Sequence, residues 1–381
     1  MSDVAARAGV SHQTVSRVVN GHPHVAPATR QRVQQAIEDL GYRPNTAARA
    51  LVTGSTRTFG LVTSHINQYG PAQTLLGLEQ AARAAGYSLS VAILDDDSEG
   101  AMREAVDRFV AQSVDAVLAL STYGQAVESL RRFEVPVPLI AVQVGRDERR
   151  PTVWVDQEAG AALATRHLLE LGHRTVHHVA GPGDSMEARG RIVGWRRELL
   201  AAGAEVPEVL TGDWWPASGH AAGRELAARI RGRRAGEPAV TAVFLANDQM
   251  ALGLLNALHG EGLTVPGDLS IVGFDDVPEA AYYTPPLTTV RQDFAELGRR
   301  GVELVLARLG GGDHQAEPVE PQLVVRSTTG PPPSPKGRRE APVAAPAGTR
   351  ALAAPGRLPR RAADRTAGTT PVTGGRKGLL T

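Results

Sequence analysis

Four hydrogen-bonding side chains near the start of the chain have the types and spacing needed to read DNA bases. His12, Gln13, Ser16 and Arg17 recur at helical spacing, and they would occupy the N-terminal half of one short helix. Imidazole, amide, hydroxyl and guanidinium groups can hydrogen-bond to base edges in the major groove. The pattern therefore predicts a base-reading helix, although helix pairs rich in Ala, Gly and Val also occur in proteins that never bind DNA.

Two neighbouring helices would hold these side chains in place. The first would bury Val4, Ala5 and Ala8 on one face and end at Gly9, where a left-handed backbone favours glycine. We expect Ser11 to cap the second helix, because its hydroxyl oxygen can accept a hydrogen bond from a free amide of the first turn.

A third helix and a short segment follow. Residues 29–40 place Val33, Ile37 and Leu40 on one helical face, which predicts that all three point inward. Residues 46–51 span only one and a half turns, which is too short for a helix that is stable by itself.

A second set of polar residues could bind hydroxyl groups. Arg191 lies near the start of a predicted helix, whereas Asn247 and Asp275 follow predicted strands. A guanidinium group can form two hydrogen bonds to neighbouring hydroxyls. Each residue also has an ordinary interpretation: a surface arginine, a helix cap and a turn.

The sequence between residues 58 and 329 predicts a parallel α/β fold. Short β-branched runs alternate with amphipathic helices there, as in parallel sheets. The predicted buried strands are 59–63, 88–93, 116–120, 139–142, 176–180, 242–245 and 269–273. The predicted helices include 75–85, 100–112, 159–171, 186–202 and 248–260. Two such sheets side by side would leave a cleft at the strand ends for a ligand.

Composition excludes several classes of protein. No stretch approaches the roughly 20 apolar residues of a membrane span, and the N-terminus lacks a basic-then-apolar export signal, so we expect a cytoplasmic protein. The chain has no cysteine, which excludes disulfides and thiolate metal sites. His177 and His178 have no carboxylate at a metal-binding spacing, and we expect no metal site, no cofactor and no enzymatic activity.

Charge is distributed unevenly along the chain. Residues 1–55 hold six Lys and Arg against three Asp and Glu, residues 56–330 hold 25 against 35, and residues 331–381 hold ten against two. A basic N-terminal region on an acidic body suits contact with phosphates at one end only. The tail is rich in Pro, Gly, Ala and Arg and has few large apolar residues, so it should be disordered.

From residue 2 to about residue 329 the chain resembles the LacI/GalR family of transcription factors. Besides the N-terminal helices, the strings that carry the resemblance are GDW at 212–214, ANDQMALG at 246–253 and PPLTTVRQDF at 285–294. The resemblance implies an α/β fold in which a periplasmic-binding-protein-like core of two parallel-sheet lobes follows a helix-turn-helix domain. The implied regions are a DNA-binding domain (1–44), a hinge helix and linker (45–57), the core (58–329) and the tail (330–381). The chain would cross between the lobes three times, near Val155, Thr289 and Pro318.

The resemblance also implies how the protein would contact DNA. His12, Gln13 and Arg17 match residues that read operator bases, and the segment containing Asn45, Ala48 and Leu51 matches a hinge. Such a hinge folds on the operator, where Leu51 would wedge between base steps and widen the minor groove.

A sugar site is implied in the same way. Arg191, Asn247 and Asp275 match polar contacts to the sugar, and Trp214 and Phe294 match aromatic residues that line its C–H face. Ala159 stands where a sugar-binding aspartate is found in the family. Other members often have Asp-Asn three positions earlier, so we expect Asp156 to supply that carboxylate.

The implied function is a repressor that a sugar, galactoside-like in chemistry, releases from operator DNA. The tail has no leucine heptads of the kind that join dimers into tetramers, so we expect a homodimer. Two alternatives remain: a corepressed regulator of the same fold that responds to a purine or another metabolite, and a sugar-binding transport protein.

Overall fold

The computed structural model describes residues 1–333 except 20–21, 44–49, 51–53, 97, 121–122, 124–131, 144–150, 234–238 and 313–314. The hinge residues Asn45, Ala48 and Leu51 and most of the predicted tail therefore lie outside the described residues. Gly330, which we placed at the start of the tail, belongs instead to the folded core: its amide donates to the Ser270 hydroxyl at 3.1 Å, and its carbonyl accepts a hydrogen bond from that hydroxyl at 3.0 Å.

Three helices form the N-terminal domain: α1 (Ser2–Ala8), α2 (His12–Val19) and α3 (Pro27–Asp39). Gly9 ends α1 in the left-handed conformation, with φ 63°, and the Ser11 hydroxyl accepts a hydrogen bond from the Thr14 amide at 3.2 Å. Both predictions are thus confirmed. The buried core of this domain is Val4, Ala5, Ala8, Val15, Val18, Val33 and Ala36.

Leu40 does not point inward as predicted. Helix α3 ends at Asp39, and Leu40 is the residue that terminates it, with 46% of its surface exposed. Ala36 fills the inward position one turn earlier. The prediction extended the helical pattern one residue beyond the end of α3.

Eleven strands, seven further α-helices and one 3₁₀ helix (Pro278–Tyr282) lie in the described part of residues 58–333. The strands are β1 (Thr58–Thr63), β2 (Ser88–Ile93), β3 (Ala116–Leu120), β4 (Leu139–Val142), β5 (Thr152–Val153), β6 (His177–Ala180), β7 (Leu210–Thr211), β8 (Ala242–Leu245), β9 (Ser270–Asp275), β10 (Thr288–Arg291) and β11 (Gln322–Val324). The helices are α4 (Tyr69–Ala84), α5 (Glu99–Ala111), α6 (Gln157–Glu170), α7 (Met186–Ala201), α8 (Pro216–Gly232), α9 (Asp248–Gly260) and α10 (Phe294–Leu309).

These elements form two lobes, each built on its own sheet. The N-terminal lobe has the parallel order β2-β1-β3-β4-β5, with α4 and α10 packed together beside it. The C-terminal lobe has the order β11-β10-β9-β8-β6-β7 and is parallel except for the antiparallel edge strand β11. The predicted fold of two parallel-sheet lobes is confirmed.

The chain passes between the lobes three times. It leaves β5 for α6 at residues 154–156, leaves β10 for α10 at 292–293, and returns from α10 to β11 through residues that include Val319. Val155 pairs with Val319 in an isolated bridge, so two of the crossings run side by side. The cleft between the lobes is therefore bordered by three short connecting segments. Among the described residues, no helix combines the length and the apolarity that crossing a bilayer requires.

Candidate functional site

Helix α2 presents the predicted base-reading residues on its outer face. His12, Gln13 and Arg17 are exposed, and Ser16 is half-buried. Val15 and Val18 on the opposite face are buried against α1 and α3. Packing of one face thus fixes the helix and leaves hydrogen-bonding groups along the other, which is the arrangement that a major-groove helix needs.

A cavity lies between the two lobes of the core, a position at which small-molecule sites are common. The N-terminal lobe lines it with Asn67, Gln68, Tyr69, Gly70 and Pro71. The remaining lining residues are Glu187, Arg191, Trp214, Trp215, Asn247, Gln249, Asp275 and Gln292. Of the six predicted ligand residues, the structure brings Arg191, Trp214, Asn247 and Asp275 to this cavity.

Arg191 is the most constrained of these residues. Its side chain is only 2% exposed, and its Nε donates to Gln157 Oε1 at 2.9 Å while Nη1 donates to the Ala246 carbonyl. The guanidinium carbon lies 3.9 Å from the Phe274 ring centroid and 5.3 Å from that of Trp214. Such contacts fix the charge at one point of the cleft wall.

Asp275 ends strand β9 beside Arg191. Its Oδ1 lies 3.8 Å from Arg191 Nη2 and accepts a hydrogen bond from Gln292 Nε2 at 2.7 Å. Burial raises the pKa of Asp275 to about 7, even though Arg191 and the Gln292 hydrogen bond act to lower it. Gln292 Oε1 in turn accepts from Gln157 Nε2 at 2.9 Å. Hydrogen bonds therefore link Arg191 to Gln157, Gln157 to Gln292 and Gln292 to Asp275, so the start of α6 and the crossing segment at Gln292 are both joined to the cleft wall.

Asn247 supports Trp214, the aromatic residue of the cavity wall. Its Oδ1 caps α9 by accepting a hydrogen bond from the Met250 amide at 2.9 Å, and its Nδ2 donates to the Trp214 carbonyl at 3.0 Å. Trp214 itself has a positive φ of 75°, and its indole packs directly on Gly181, where a Cβ atom would collide with the ring. The capping interpretation of Asn247 is thus correct, and the same side chain also positions Trp214.

Asp156 and Phe294 are not among the residues that line the cavity. The Asp156 carboxylate caps α6 by accepting a hydrogen bond from the Ala159 amide at 2.8 Å. This bond to a first-turn amide of the helix holds the carboxylate in place. Phe294 is buried at the start of α10 and meets Tyr69 edge-on, with ring centroids 5.9 Å apart. It supports the cavity wall from behind.

Sequence reasoning missed several polar residues of the cavity. Tyr69, Glu187 and Gln249 line it directly, and Gln157 supports Arg191. Glu187 and Gln249 lie in the first turns of α7 and α9, where polar residues are common for reasons of helix capping and dipole. Their one visible signal is proximity in the sequence, because Glu187 lies four residues before Arg191 and Gln249 lies two residues after Asn247.

The two adjacent histidines have a structural explanation. His178 is fully buried, stacks on Phe244 with ring centroids 4.7 Å apart, and its Nδ1 bonds to the Phe244 carbonyl at 2.9 Å. Burial lowers the pKa of both His177 and His178 to about 4. Within the described residues, no group of His, Asp and Glu could hold a metal ion.

Comparison with known proteins agrees with this architecture. Residues 1–45 match the family of bacterial regulatory proteins, lacI family, and residues 165–329 match the periplasmic binding protein-like domain. The HTH-type transcriptional regulator CelR of Thermobifida fusca is 39% identical over 342 residues, an alignment that covers 85% of this chain and 96% of CelR. The chain belongs to the LacI family.

Two further relatives of this LacI-family chain are similar over nearly their whole length. The lactose operon repressor of Escherichia coli (strain K12) is 34% identical over 330 residues, covering 86% of this chain and 89% of the repressor. The HTH-type transcriptional repressor PurR of Aliivibrio fischeri (strain ATCC 700601 / ES114) is 34% identical over 335 residues, covering 86% and 97%. The LacI-family chain is therefore a DNA-binding transcriptional regulator and not an enzyme.

Two solved structures also resemble the LacI-family chain over most of its length. The lac repressor dimer bound to operator and the anti-inducer ONPF gives a TM-score of 0.75 at 33% identity, covering 86% of this chain and 98% of that one. The complex of the transcriptional regulator CelR with cellobiose gives 0.63 at 35% identity, with the same coverage. These likenesses confirm the predicted combination of helix-turn-helix domain and periplasmic-binding-protein-like core.

Proposed function

We propose that this LacI-family regulator represses transcription as a homodimer on operator DNA, and that a sugar bound between its lobes releases it. The observation that carries the proposal is the cavity wall formed by Arg191, Asp275 and Trp214, in a chain whose N-terminal helix α2 exposes base-reading groups. Such a regulator acts in the cytoplasm, where its operator lies.

In the DNA-binding part of the proposal, His12, Gln13, Ser16 and Arg17 contact base edges. Their exposure on α2 and the basic charge of the first 55 residues support this role. Asn45, Ala48 and Leu51 act as the hinge that folds over the minor groove. The solved lac repressor, which is a dimer bound to operator, supports assembly as a homodimer.

In the ligand-binding part, the effector is a sugar, with galactosides as the first candidates. A carboxylate, a guanidinium and an amide that face one cavity can hold neighbouring hydroxyls, and the indole of Trp214 offers a flat apolar surface to a sugar ring. Asn247 contributes mainly by holding Trp214, and Phe294 by supporting Tyr69. Because CelR was solved with cellobiose, β-glucosides are the second class to test.

The coupling between the two sites follows from linkage. If operator DNA and sugar favour different arrangements of the lobes, each lowers the affinity of the other by the same factor, typically about 5- to 150-fold. The three crossing segments, one of which carries Gln292, are where a change in lobe angle would be concentrated.

The test measures operator affinity of the full chain by fluorescence anisotropy, with promoter fragments from its own locus, in the presence of galactosides, cellobiose or purines. We expect a galactoside or a β-glucoside to weaken DNA binding at least fivefold. Arg191→Lys should keep operator binding but lose the response, since lysine cannot reproduce the forked geometry. If no promoter fragment binds even at low ionic strength, the proposal is wrong.

A corepressed regulator is the second candidate, and the similarity to the repressor PurR favours it. It predicts the opposite sign in the same assay: a purine or another metabolite would strengthen operator binding, and sugars would have no effect.

A further inference from the structure

The ionised groups around the cavity are not evenly balanced. Arg191 is the single guanidinium among the described lining residues, and Glu187 and Asp275 are the carboxylates. The charge of Arg191 is already shared with protein groups, because Nε donates to Gln157, one N–H of Nη1 donates to the Ala246 carbonyl, and Nη2 lies 3.8 Å from Asp275. The positive charge of the wall is therefore committed to Asp275 and its neighbours. The remaining N–H groups of Nη1 and Nη2 are left for ligand hydroxyls.

Glu187 is left without such a partner. It lies one helical turn before Arg191 on α7, is half-buried, and makes no hydrogen bond or ion pair with any described residue. Burial raises the pKa of Glu187, and the attraction of Arg191 offsets this only in part. A carboxylate in this position gains from any ligand group that brings donors and positive charge.

A second hydrogen-bond acceptor of the cavity, on Gln249, also has no partner among the described residues. Gln249 lines the cavity from the first turn of α9, and its Oε1 is buried without a hydrogen-bond partner in the described chain. A buried polar atom without a partner typically costs about 1–3 kcal/mol. On the opposite wall, Asn67 and Gln68 offer amides that both donate and accept, so they add no preference of their own.

We propose that the effector carries a protonated amino group, as an amino sugar does, and that Glu187 and Gln249 accept its hydrogen bonds. The inference rests on the proposed function, because it specifies which sugars the cavity takes. An ammonium group has three donors and no acceptor, which complements two unpaired acceptors better than a hydroxyl does. Its charge also offsets the buried charge of Glu187. Phosphorylated and acidic sugars would be rejected by the same carboxylate.

The experiment compares matched ligands on the full chain by isothermal titration calorimetry at pH 7. The probes are galactosamine, galactose and N-acetylgalactosamine, and the corresponding glucose series. We expect the free amino sugar of at least one series to bind about tenfold or more tightly than its hydroxyl analogue. The N-acetyl derivative, which is neutral, should show no such advantage.

Two variants assign the preference to the side chain. Glu187→Gln preserves size and hydrogen bonding but removes the charge, and it should reduce the ratio of amino-sugar to neutral-sugar affinity to about one. Asp184→Asn is the matched control, since Asp184 is exposed in the loop before α7 and does not line the cavity. It should leave the ratio unchanged. Circular dichroism of each variant checks that it is folded.

The outcomes separate this inference from the function on which it rests. If neutral sugars bind and release the operator but the amino sugars bind no better, the inference is overturned and the proposed function stands. Retention of the full amino-sugar preference in Glu187→Gln would equally overturn it. If no sugar of either series binds, the inference is overturned, and the proposed function is then decided by the galactosides and cellobiose of the operator assay.

Discussion

At the scale of single residues, the carboxylate of Asp275 experiences two opposing effects on its charge. Burial at the end of β9 disfavours the ionised form, whereas Arg191, at 3.8 Å, and the Gln292 amide, at 2.7 Å, favour it. Burial is the larger effect, because the pKa is raised to about 7. Asp275 is therefore only partly ionised near neutral pH, and a ligand hydroxyl can hydrogen-bond to either form.

This balance predicts a pH-dependent contribution to stability. A carboxyl group whose pKa is raised on folding binds its proton more tightly in the native state, so its contribution to stability falls as pH rises from about 4 to about 7. Asp275→Asn removes this loss. Relative to the unmodified protein, the variant should gain about 2 kcal/mol of unfolding free energy between pH 5 and pH 7.5, measured by urea denaturation at both values.

The control for this comparison is a variant that removes a carboxylate exposed to solvent. Asp184→Asn serves again, since Asp184 is exposed, and it should show no comparable change between the two pH values. The explanation for Asp275 fails if the stability difference between Asp275→Asn and the unmodified protein is the same at pH 5 and pH 7.5.

At the scale of elements, the close approach of α8 and α9 fixes the wall that carries Asn247. Gly253 of α9 faces the backbone of α8, and a Cβ atom there would lie far closer to the Pro216 carbonyl oxygen than van der Waals contact allows. Gly219 of α8 meets the Met250 carbonyl in the same way. Small residues thus set the distance between the two helices, and Trp214 and Asn247 at their N-terminal ends depend on it.

Gly253→Ala should force these helices apart. The added methyl group meets backbone atoms that cannot rotate away, so we expect a loss of about 2 kcal/mol in unfolding free energy, as for other overpacked sites. Gly260→Ala in the same helix is the control, because no atom lies within 4 Å of its Cβ position and alanine favours the helix. Thermal unfolding should show a lower midpoint for the first variant alone, and equal midpoints would contradict this account of the contact.

The elements also show which features a sequence can predict. Each predicted strand has a counterpart shifted by at most two residues at either end, because most of these short apolar runs are buried in a parallel sheet. The prediction that residues 88–93 are buried was wrong: β2 is an edge strand, and Ser88, Val91 and Ile93 are exposed. Strands β5 and β7 were not predicted, since two residues cannot display a period. β10 was missed as a strand because its Thr-rich sequence looks polar, although Thr288 and Thr289 are buried and bonded to neighbouring segments.

The site was predicted less completely, for a related reason. Arg191 and Asp275 were found because their neighbours in the chain resemble a known family. Asp156 was predicted to supply a carboxylate to the sugar, but its position before α6 makes it the cap of that helix. Glu187 and Gln249 were passed over because their positions are equally typical of ordinary helix starts. Whether a polar residue at a helix start faces the helix or a cavity depends on packing between lobes, which the local sequence does not contain.

At the scale of the whole molecule, the attachment of the linker to the N-terminal lobe connects the two functions. The Asp115 carboxylate, just before β3, accepts hydrogen bonds from the Thr56 amide at 2.9 Å and the Arg57 amide at 3.1 Å. It also accepts from the hydroxyls of Ser55 and Thr56. Four hydrogen bonds to one charged group bind the linker firmly to this lobe. Rotation of the lobe would therefore move the linker with it.

Asp115→Ala should weaken this connection without changing either binding site. The cavity residues are untouched, so sugar affinity should stay within about twofold of its original value. The factor by which a saturating sugar weakens operator binding should fall to less than about a third of the original, because a freed linker no longer follows the lobe. Operator titrations with and without sugar measure this factor directly.

The control is Asp107→Ala, which removes an exposed carboxylate on α5 of the same lobe and should leave the factor unchanged. Because linkage is reciprocal, the Asp115 variant should also show an equally reduced effect of operator DNA on sugar affinity. A full sugar response in Asp115→Ala would mean that the lobes act on DNA by a route other than this linker attachment.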